Sequence, residues 1–298
     1  MMDPPVLRSA ERWQRVVDAW TDNTHDDAFT HTARVSEPGV AIEVAAVVLP
    51  SPTYAIREAR ARVLAGVVDP GVLTGIGKLA GTAMVAGLGR RIAEATGRGA
   101  GAGPARDAVI EIARLARQVA KMPRDRALAA TGDPWGCWQL DTTGWSDLPD
   151  SCFAYTEAGR ALLGTRRVAT AMTADLYSPK PGQARVFVRK KVARIERVGG
   201  RLRLFHSMYD NVHGFELTYE VDSTTGRVVR ADGMTPRLPY MGICTEPQRK
   251  LATLIGEVVD AELPKRIQTL IGGAGGCAQL YDLTADLLRL LTYEPAAR

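Results

Sequence analysis

Aromatic residues make up only 6% of this chain, and cysteine and histidine occur four times each. Four cysteines in 298 residues are too few for a disulfide framework, and none forms a Cys-x-x-Cys pair. Because free cysteine is among the most buried residue types, the four thiols are expected to be buried in a reducing compartment.

Long apolar runs are also missing. The most apolar windows, Val40–Leu49 and Ile76–Leu88, are too short or too rich in glycine to span a bilayer. The first twelve residues contain Asp, Pro and Glu instead of an apolar signal-peptide core. The sequence therefore predicts no membrane association and a cytoplasmic location.

Neither sign of charge dominates, since the net charge is only +5 and basic and acidic residues alternate along most of the chain. The densest basic run is Arg189-Lys190-Lys191. A nucleic-acid surface is normally more one-sided and interleaved with aromatics. We expect no nucleic-acid partner.

Several enzyme signatures do not occur: G-x-x-x-x-G-K-[ST], G-x-S-x-G, H-E-x-x-H, and G-x-G-x-x-G between a strand and a helix. The glycine runs 97–103 and 272–276 follow predicted helices instead of strands, which is the wrong context for nucleotide phosphates. These observations predict that no cofactor is used.

An internal repeat is present instead. At a shift of 175 positions, Leu88–Ile92 aligns with Leu263–Ile267, and Gly39, Gly97 and Gly101 align with other glycines. Strand-like alternation precedes the helical pattern in both copies. The sequence predicts an α+β fold with an internally duplicated module of antiparallel strands followed by two helices, in a pseudo-twofold, two-lobed arrangement.

The predicted organisation has three parts. Residues 1–122 form the first copy, residues 166–298 form the second, and residues 123–165 form a tryptophan-rich connecting excursion without a clear period. Predicted helices span 73–96 and 105–121 in the first copy and 251–270 and 277–291 in the second. Pro264 is expected to end or kink the third of these.

The second copy resembles the bacterial family known as domain of unknown function 2889. The resemblance rests on His213-Gly-Phe-Glu-Leu217, Arg227-Val-Val-Arg-Ala231, Pro239-Tyr240 with Cys244, and Gly276-Cys277-Ala278-Gln279-Leu280. The family's last motif is Gly-Cys-Thr-His-Leu, so Ala278 and Gln279 depart from it, and no role for that histidine carries over. The family name implies no activity. A weaker, topological likeness to NifU-like iron–sulfur scaffolds implies a similar fold.

The most polar short segment beside a predicted core strand is Met208–His213. Asp210 and His213 could form an acid–base pair in which the carboxylate orients the imidazole. His206 and Tyr209 are close enough in sequence to join them as further catalytic residues. Against this hypothesis, Asp-Asn is common in hairpin turns, where a histidine needs no role.

Substrate contacts are predicted from two other segments. Arg185 could pair with a carboxylate, and Tyr177 lies nearby in the sequence. Trp138 and Trp145 belong to the excursion and could cover a pocket between the lobes, or could simply anchor the loop.

A metal site is the alternative use of the second copy. Cys277 lies at a predicted helix N-terminus, which would stabilise a thiolate, and with Cys244 and His213 it could bind zinc or iron. The competing interpretation is that both cysteines fill the core.

Together these features favour a cofactor-independent enzyme of the lyase, decarboxylase or isomerase type, with a role in catabolism. It would act on a hydrophobic or aromatic small molecule by acid–base chemistry at the seam between lobes. The rival hypothesis is a non-catalytic binding or assembly protein, and a degenerate duplicate kept for homodimerisation is a third.

Overall fold

Alternating apolar and polar residues form antiparallel strands in the computed structural model, which describes residues 2–7 and 10–292. The strands are β1 (Arg12–Asp22), β2 (Phe29–Glu37), β3 (Val40–Val48), β4 (Ile56–Gly66), β5 (Ala169–Thr170), β6 (Phe187–Val198), β7 (Arg201–Asp210), β8 (Gly214–Asp222), β9 (Val228–Arg237) and β10 (Tyr240–Met241).

Helices follow each set of long strands. They are α1 (Pro70–Gly77), α2 (Leu88–Thr96), α3 (Ala102–Leu115), α4 (Arg124–Ala130), α5 (Pro134–Gly144), α6 (Glu157–Leu163), α7 (Ala174–Tyr177), α8 (Leu263–Ile271) and α9 (Ala278–Arg289), with 3₁₀ helices at Phe153–Tyr155 and Pro247–Leu254. Antiparallel strands combined with helices confirm the predicted α+β class.

Two compact units divide the chain. The β1–β4 unit contains residues 15–130 and 173–190, and the β6–β9 unit contains the described residues of 2–14 together with 131–172 and 191–292. Most of the segment predicted to connect the two copies is therefore an integral part of the β6–β9 unit.

In the β1–β4 unit the strand order is β4-β3-β2-β1. Strands β2 and β3 form a tight hairpin in which Glu37 pairs with Val40, and Gly39 adopts a φ of 86° that a residue with a side chain would rarely take. Helix α3 packs on β2 and β3. Val35 of β2 and Val44 of β3 are buried as a result.

The β6–β9 unit has the corresponding order β6-β7-β8-β9. Helix α9 packs on β7. Two buried hydrogen bonds fix the contact of α9 with the sheet: His206 Nδ1 bonds to the Leu283 carbonyl oxygen at 2.8 Å, and the hydroxyls of Tyr219 and Thr284 are 2.6 Å apart. The polar groups of this core are thus paired across the helix–sheet interface.

The order of elements repeats from one copy to the other. In both copies four long antiparallel strands are followed by helices, and α2 and α8 begin 175 positions apart and have the same length. Two helices were predicted after the strands of each copy: the first copy has three, α1–α3, whereas the second has α8 and α9, with a 3₁₀ helix before them. The pseudo-twofold relation between the copies stays a prediction.

The extra helical segments arise because the predicted helices are interrupted. Gly81 and Gly87 have φ values of 82° and 87° and separate α1 from α2 within the predicted 73–96 helix. In the second copy the 3₁₀ helix Pro247–Leu254 and α8 replace the predicted 251–270 helix. Pro264 occupies the first turn of α8, where proline is well tolerated, so it begins a helix instead of ending one.

The tryptophan-rich excursion is largely helical. Helix α5 begins at the side chain of Asp133, which accepts a hydrogen bond from the Gly136 amide, and Pro134 follows directly. Helices α4 and α6 also belong to the excursion. Within the described residues, every helix is too short or too polar to cross a membrane.

The basic run of β6 is half buried, because successive residues of a strand face opposite sides. Arg189 and Lys191 are buried, whereas Lys190 between them is exposed. In the β1–β4 unit the Arg189 guanidinium lies 3.1 Å from Glu111 of α3. In the β6–β9 unit Lys191 Nζ lies 3.1 Å from Asp286 of α9. The run therefore supplies core ion pairs on one face and a solvated charge on the other.

We predict that Glu111→Gln lowers the free energy of unfolding by about 3–5 kcal/mol, because it leaves the buried Arg189 guanidinium without its carboxylate. The double variant Glu111→Leu with Arg189→Met should recover most of the loss, since it removes both charges. Urea denaturation followed by circular dichroism measures both effects.

The matched control is Glu94→Gln, which removes the carboxylate of the exposed Arg90–Glu94 pair on α2. That change should cost about 1 kcal/mol or less. Equal losses for Glu94→Gln and Glu111→Gln would contradict the importance given to the buried pair.

Candidate functional site

The turn between β7 and β8 brings Asp210 and His213 together. The Asp210 amide donates to the His213 carbonyl oxygen at 2.9 Å and closes a tight hairpin loop. The Asp210 carboxylate caps the loop by accepting from the backbone amides of Val212 at 2.8 Å and His213 at 2.6 Å. The Arg237 guanidinium donates to the Asp210 carbonyl oxygen at 2.6 Å, which ties β9 to the same turn.

The two side chains form the predicted carboxylate–imidazole pair. His213 Nδ1 is 3.0 Å and 3.1 Å from the two carboxylate oxygens of Asp210, and both residues are buried. An ionised carboxylate can only accept hydrogen bonds, so Nδ1 must carry the proton in this pair. In neutral His213, Nε2 then bears the lone pair, which is the state required of a general base.

Tyr209 and His206 lie away from this pair. Tyr209 faces the opposite side of the strand, where it is exposed and donates its hydroxyl to Glu216. This hydrogen bond, reinforced by the carboxylate charge, raises the pKa of Tyr209. His206 shares the buried face of β7 with Asp210, but its Nδ1 bonds to α9 at Leu283. The structure thus brings two of the four predicted catalytic residues together.

The predicted substrate contacts are divided between the units. Trp138 belongs to the β6–β9 unit; it stacks on Trp135 with ring centroids 5.8 Å apart and donates Nε1 to the Ala154 carbonyl at 2.8 Å. Trp145 is in the same unit but buried. Both Trp135 and Trp138 remain partly exposed, so they offer an aromatic surface.

Arg185 and Tyr177 belong to the β1–β4 unit. The Arg185 guanidinium lies 4.9 Å from the Trp20 ring centre, and its backbone amide donates to Asp22 at 2.7 Å. The Tyr177 side chain is fully buried, and its carbonyl oxygen accepts from the Met122 amide at 2.9 Å. Their roles in substrate binding stay predictions.

The predicted metal set of Cys244, Cys277 and His213 is not assembled. Within residues 2–7 and 10–292, no three His, Cys, Asp or Glu side chains have an arrangement that could hold a metal ion. Cys277 does begin α9, and its sulfur accepts the Leu280 amide at 3.5 Å. Even so, burial outweighs these amide contacts and raises the pKa of Cys277. The prediction of a stabilised thiolate is therefore wrong.

Sequence reasoning missed a third thiol beside Cys244 and Cys277. The Phe153 amide donates to the Gly276 carbonyl at 2.9 Å, which places Cys152 next to Cys277. Burial, together with a smaller contribution from the nearby Cys277 thiol, raises the pKa of Cys152 to about 12. No local pattern connects these two cysteines, because they are far apart in the sequence and meet only after folding.

A buried carboxylate from the excursion lies near the same thiols. Asp141 of α5 accepts the hydroxyl of Tyr155 at 2.9 Å and the hydroxyl of Tyr240 on the same oxygen. The pKa of Cys244 is raised, first by burial, then by the Cys152 and Cys277 thiols, with a smaller contribution from Asp141. The excursion thus contributes polar groups to the interior of the β6–β9 unit.

Comparison with known proteins finds one family. Residues 171–292 match the family model described as protein of unknown function (DUF2889). The match covers β6–β9 and the helices after them, and it confirms the resemblance of the second copy. No curated protein and no solved structure matches the chain. The likeness to NifU-like scaffolds stays a prediction.

We predict that Cys152 and Cys277 of the native protein react slowly with a maleimide at about pH 7, because only the thiolate is nucleophilic and both pKa values are raised. Since the thiolate fraction below the pKa grows with pH, the rates should rise about tenfold per unit up to about pH 9. Mass spectrometry after timed quenching measures the labelling of each cysteine. Fast labelling that does not depend on pH would contradict the protonated state.

Proposed function

We propose that this protein is a cofactor-independent enzyme of the lyase, decarboxylase or isomerase type, with Asp210 and His213 as its acid–base pair. The observation that carries the proposal is the hydrogen bonding of both Asp210 carboxylate oxygens to His213 Nδ1 at 3.0 Å and 3.1 Å. This arrangement fixes the imidazole and directs its proton to Nδ1, so that Nε2 can take a proton from a substrate.

The surroundings of the pair support proton transfer. Two backbone amides hold the Asp210 carboxylate in place, and hydrogen bonds of this kind favour the ionised form of a carboxylate. An imidazolium formed on His213 would be stabilised by that negative charge. The protein would thus supply both the base and its counter-charge without an added group.

Nearby apolar groups favour a hydrophobic or aromatic substrate. The ring of Phe215 is centred 6.2 Å from the imidazole of His213. In the same unit the stacked Trp135 and Trp138 are partly exposed. A substrate with an acidic carbon–hydrogen bond beside a carbonyl, in an aromatic acid or ketone, fits a base in such surroundings.

The test is solvent deuterium exchange into a panel of aromatic acids and ketones, followed by proton NMR. Exchange reports removal of a proton from carbon even when the full reaction needs a second substrate. Asp210→Asn and His213→Gln should lower the exchange rate about 10²–10⁴-fold, the usual contribution of a positioned base.

A histidine on the surface of the other unit provides the matched control. His25 is exposed, and His25→Gln should leave exchange unchanged. If Asp210→Asn and His213→Gln exchange at the wild-type rate while remaining folded, the pair serves only to shape the turn and the assignment fails.

The second candidate is a non-catalytic binding protein. It is favoured by Gln279 in the first turn of α9, whose Oε1 is buried and accepts no hydrogen bond from the described residues. A buried acceptor without a donor is costly, and a ligand carrying an N–H or O–H group would relieve that cost.

For this candidate, a ligand identified by thermal-shift screening should bind wild type and Asp210→Asn equally, and should bind Gln279→Leu more weakly. Calorimetry measures the dissociation constants. Unchanged binding to Gln279→Leu would exclude this residue as the recognition group.

A further inference from the structure

Three of the four cysteines converge in the β6–β9 unit, and we call them the thiol cluster: Cys152, Cys244 and Cys277. Gln248 joins two of them, because its Nε2 donates to the Cys244 carbonyl oxygen at 3.1 Å and its side chain also hydrogen-bonds to the Cys277 thiol. The Phe153–Gly276 backbone hydrogen bond of 2.9 Å brings Cys152 beside Cys277.

The cluster is partly accessible. Cys152 and Cys277 are of intermediate exposure, whereas Cys244 is buried and Cys137, elsewhere on α5, is fully buried. Cys152 and Cys277 thus reach the surface of the folded chain, whereas a cysteine that only fills the core is usually fully buried.

Negative charge is disfavoured throughout the cluster. Each of the three thiols has its pKa raised, in every case first by burial. Carboxylates face the cluster from two directions and add to the effect: Asp141 of α5 acts on Cys244, and Asp282 of α9 acts on Cys277. Because only the thiolate attacks a disulfide, exchange at these thiols should be slow near neutral pH and faster as the pH rises.

We propose that Cys152 and Cys277 form an oxidation site at which a low-molecular-weight disulfide, such as glutathione disulfide, converts the two thiols into an intramolecular disulfide. One protein thiolate attacks the reagent, a mixed disulfide forms, and one reagent thiolate leaves. The second protein thiolate then attacks the mixed disulfide, the Cys152–Cys277 bond forms, and the other reagent thiolate leaves.

Atoms and electrons balance in this exchange. The two protein thiols lose two electrons and two protons, and the reagent disulfide gains both and becomes two thiols. The new bond would join the start of α9 to the helical excursion, two segments that the Phe153–Gly276 hydrogen bond already connects. Cys244 would remain as a third thiol.

The experiment uses the full, reduced chain incubated under native conditions with glutathione disulfide at about pH 7, about pH 8 and about pH 9. Free thiols are then blocked with N-ethylmaleimide, and the digest is mapped by mass spectrometry without reduction. The expected product is one linked peptide pair containing Cys152 and Cys277, formed about tenfold faster for each unit of pH.

Matched variants assign the bond. Cys137→Ser and Cys244→Ser should form it at the wild-type rate, whereas Cys152→Ser should accumulate the mixed disulfide on Cys277 instead. Three results would overturn the proposal: linkage through Cys244 in its place, mixed disulfides without linkage in the wild-type chain, or linkage that appears only in denaturant. Because the main result is read on the wild-type chain, it does not depend on any variant folding.

Discussion

Charge buried beneath α3 in one unit and α9 in the other constrains the rest of the structure. Arg189 and Lys191 enter the core from β6, where an unpaired charge would cost several kcal/mol. Glu111 and Asp286 meet them from α3 and α9. These two acids are 175 positions apart, the shift of the internal repeat. Each helix must therefore pack on its sheet with the turn that carries this acidic residue facing β6. This holds for α3 in one unit and for α9 in the other.

The position of α9 in turn determines where the chemical groups lie. Once Asp286 meets Lys191, Leu283 and Thr284 face His206 and Tyr219, and Cys277 begins the helix beside the excursion. The β1–β4 unit has the ion pair without this chemistry. At the same shift, Val35, Pro38 and Ala102 occupy the positions of Asp210, His213 and Cys277. The two copies thus share the acidic residue of the helix–sheet contact and differ in the residues that could react.

The same buried charges explain where sequence reasoning succeeded and failed. Strands β2, β3, β7 and β8 were predictable, because their alternation is clean and glycine marks their turns. Strands β1 and β6 lack such a clean alternation of apolar and polar residues. Their core-facing positions hold Arg15, Arg189 and Lys191, so no apolar alternation is visible there. Arg15 is acceptable in the core because Glu37 and Asp107 pair with it, and both partners are distant in sequence.

The candidate site was predictable to the extent that it is local. Asp210 and His213 are three residues apart in one turn, so their meeting could be expected from spacing alone. Cys152 could not be placed, because the excursion reads as irregular while tertiary contacts make it helical. Asp141 was hidden for the same reason, since Tyr240 and Tyr155 reach it from other segments.

The two sites of the β6–β9 unit treat charge in opposite ways, and this difference separates the chemistry that each can support. At the turn, two backbone amides and an imidazole bind the Asp210 carboxylate, and each of these contacts favours its ionised form. In the thiol cluster, burial and nearby carboxylates oppose ionisation. A carboxylate beside an imidazole suits proton transfer, whereas a thiol whose ionisation is opposed exchanges slowly with a disulfide, because only the thiolate attacks.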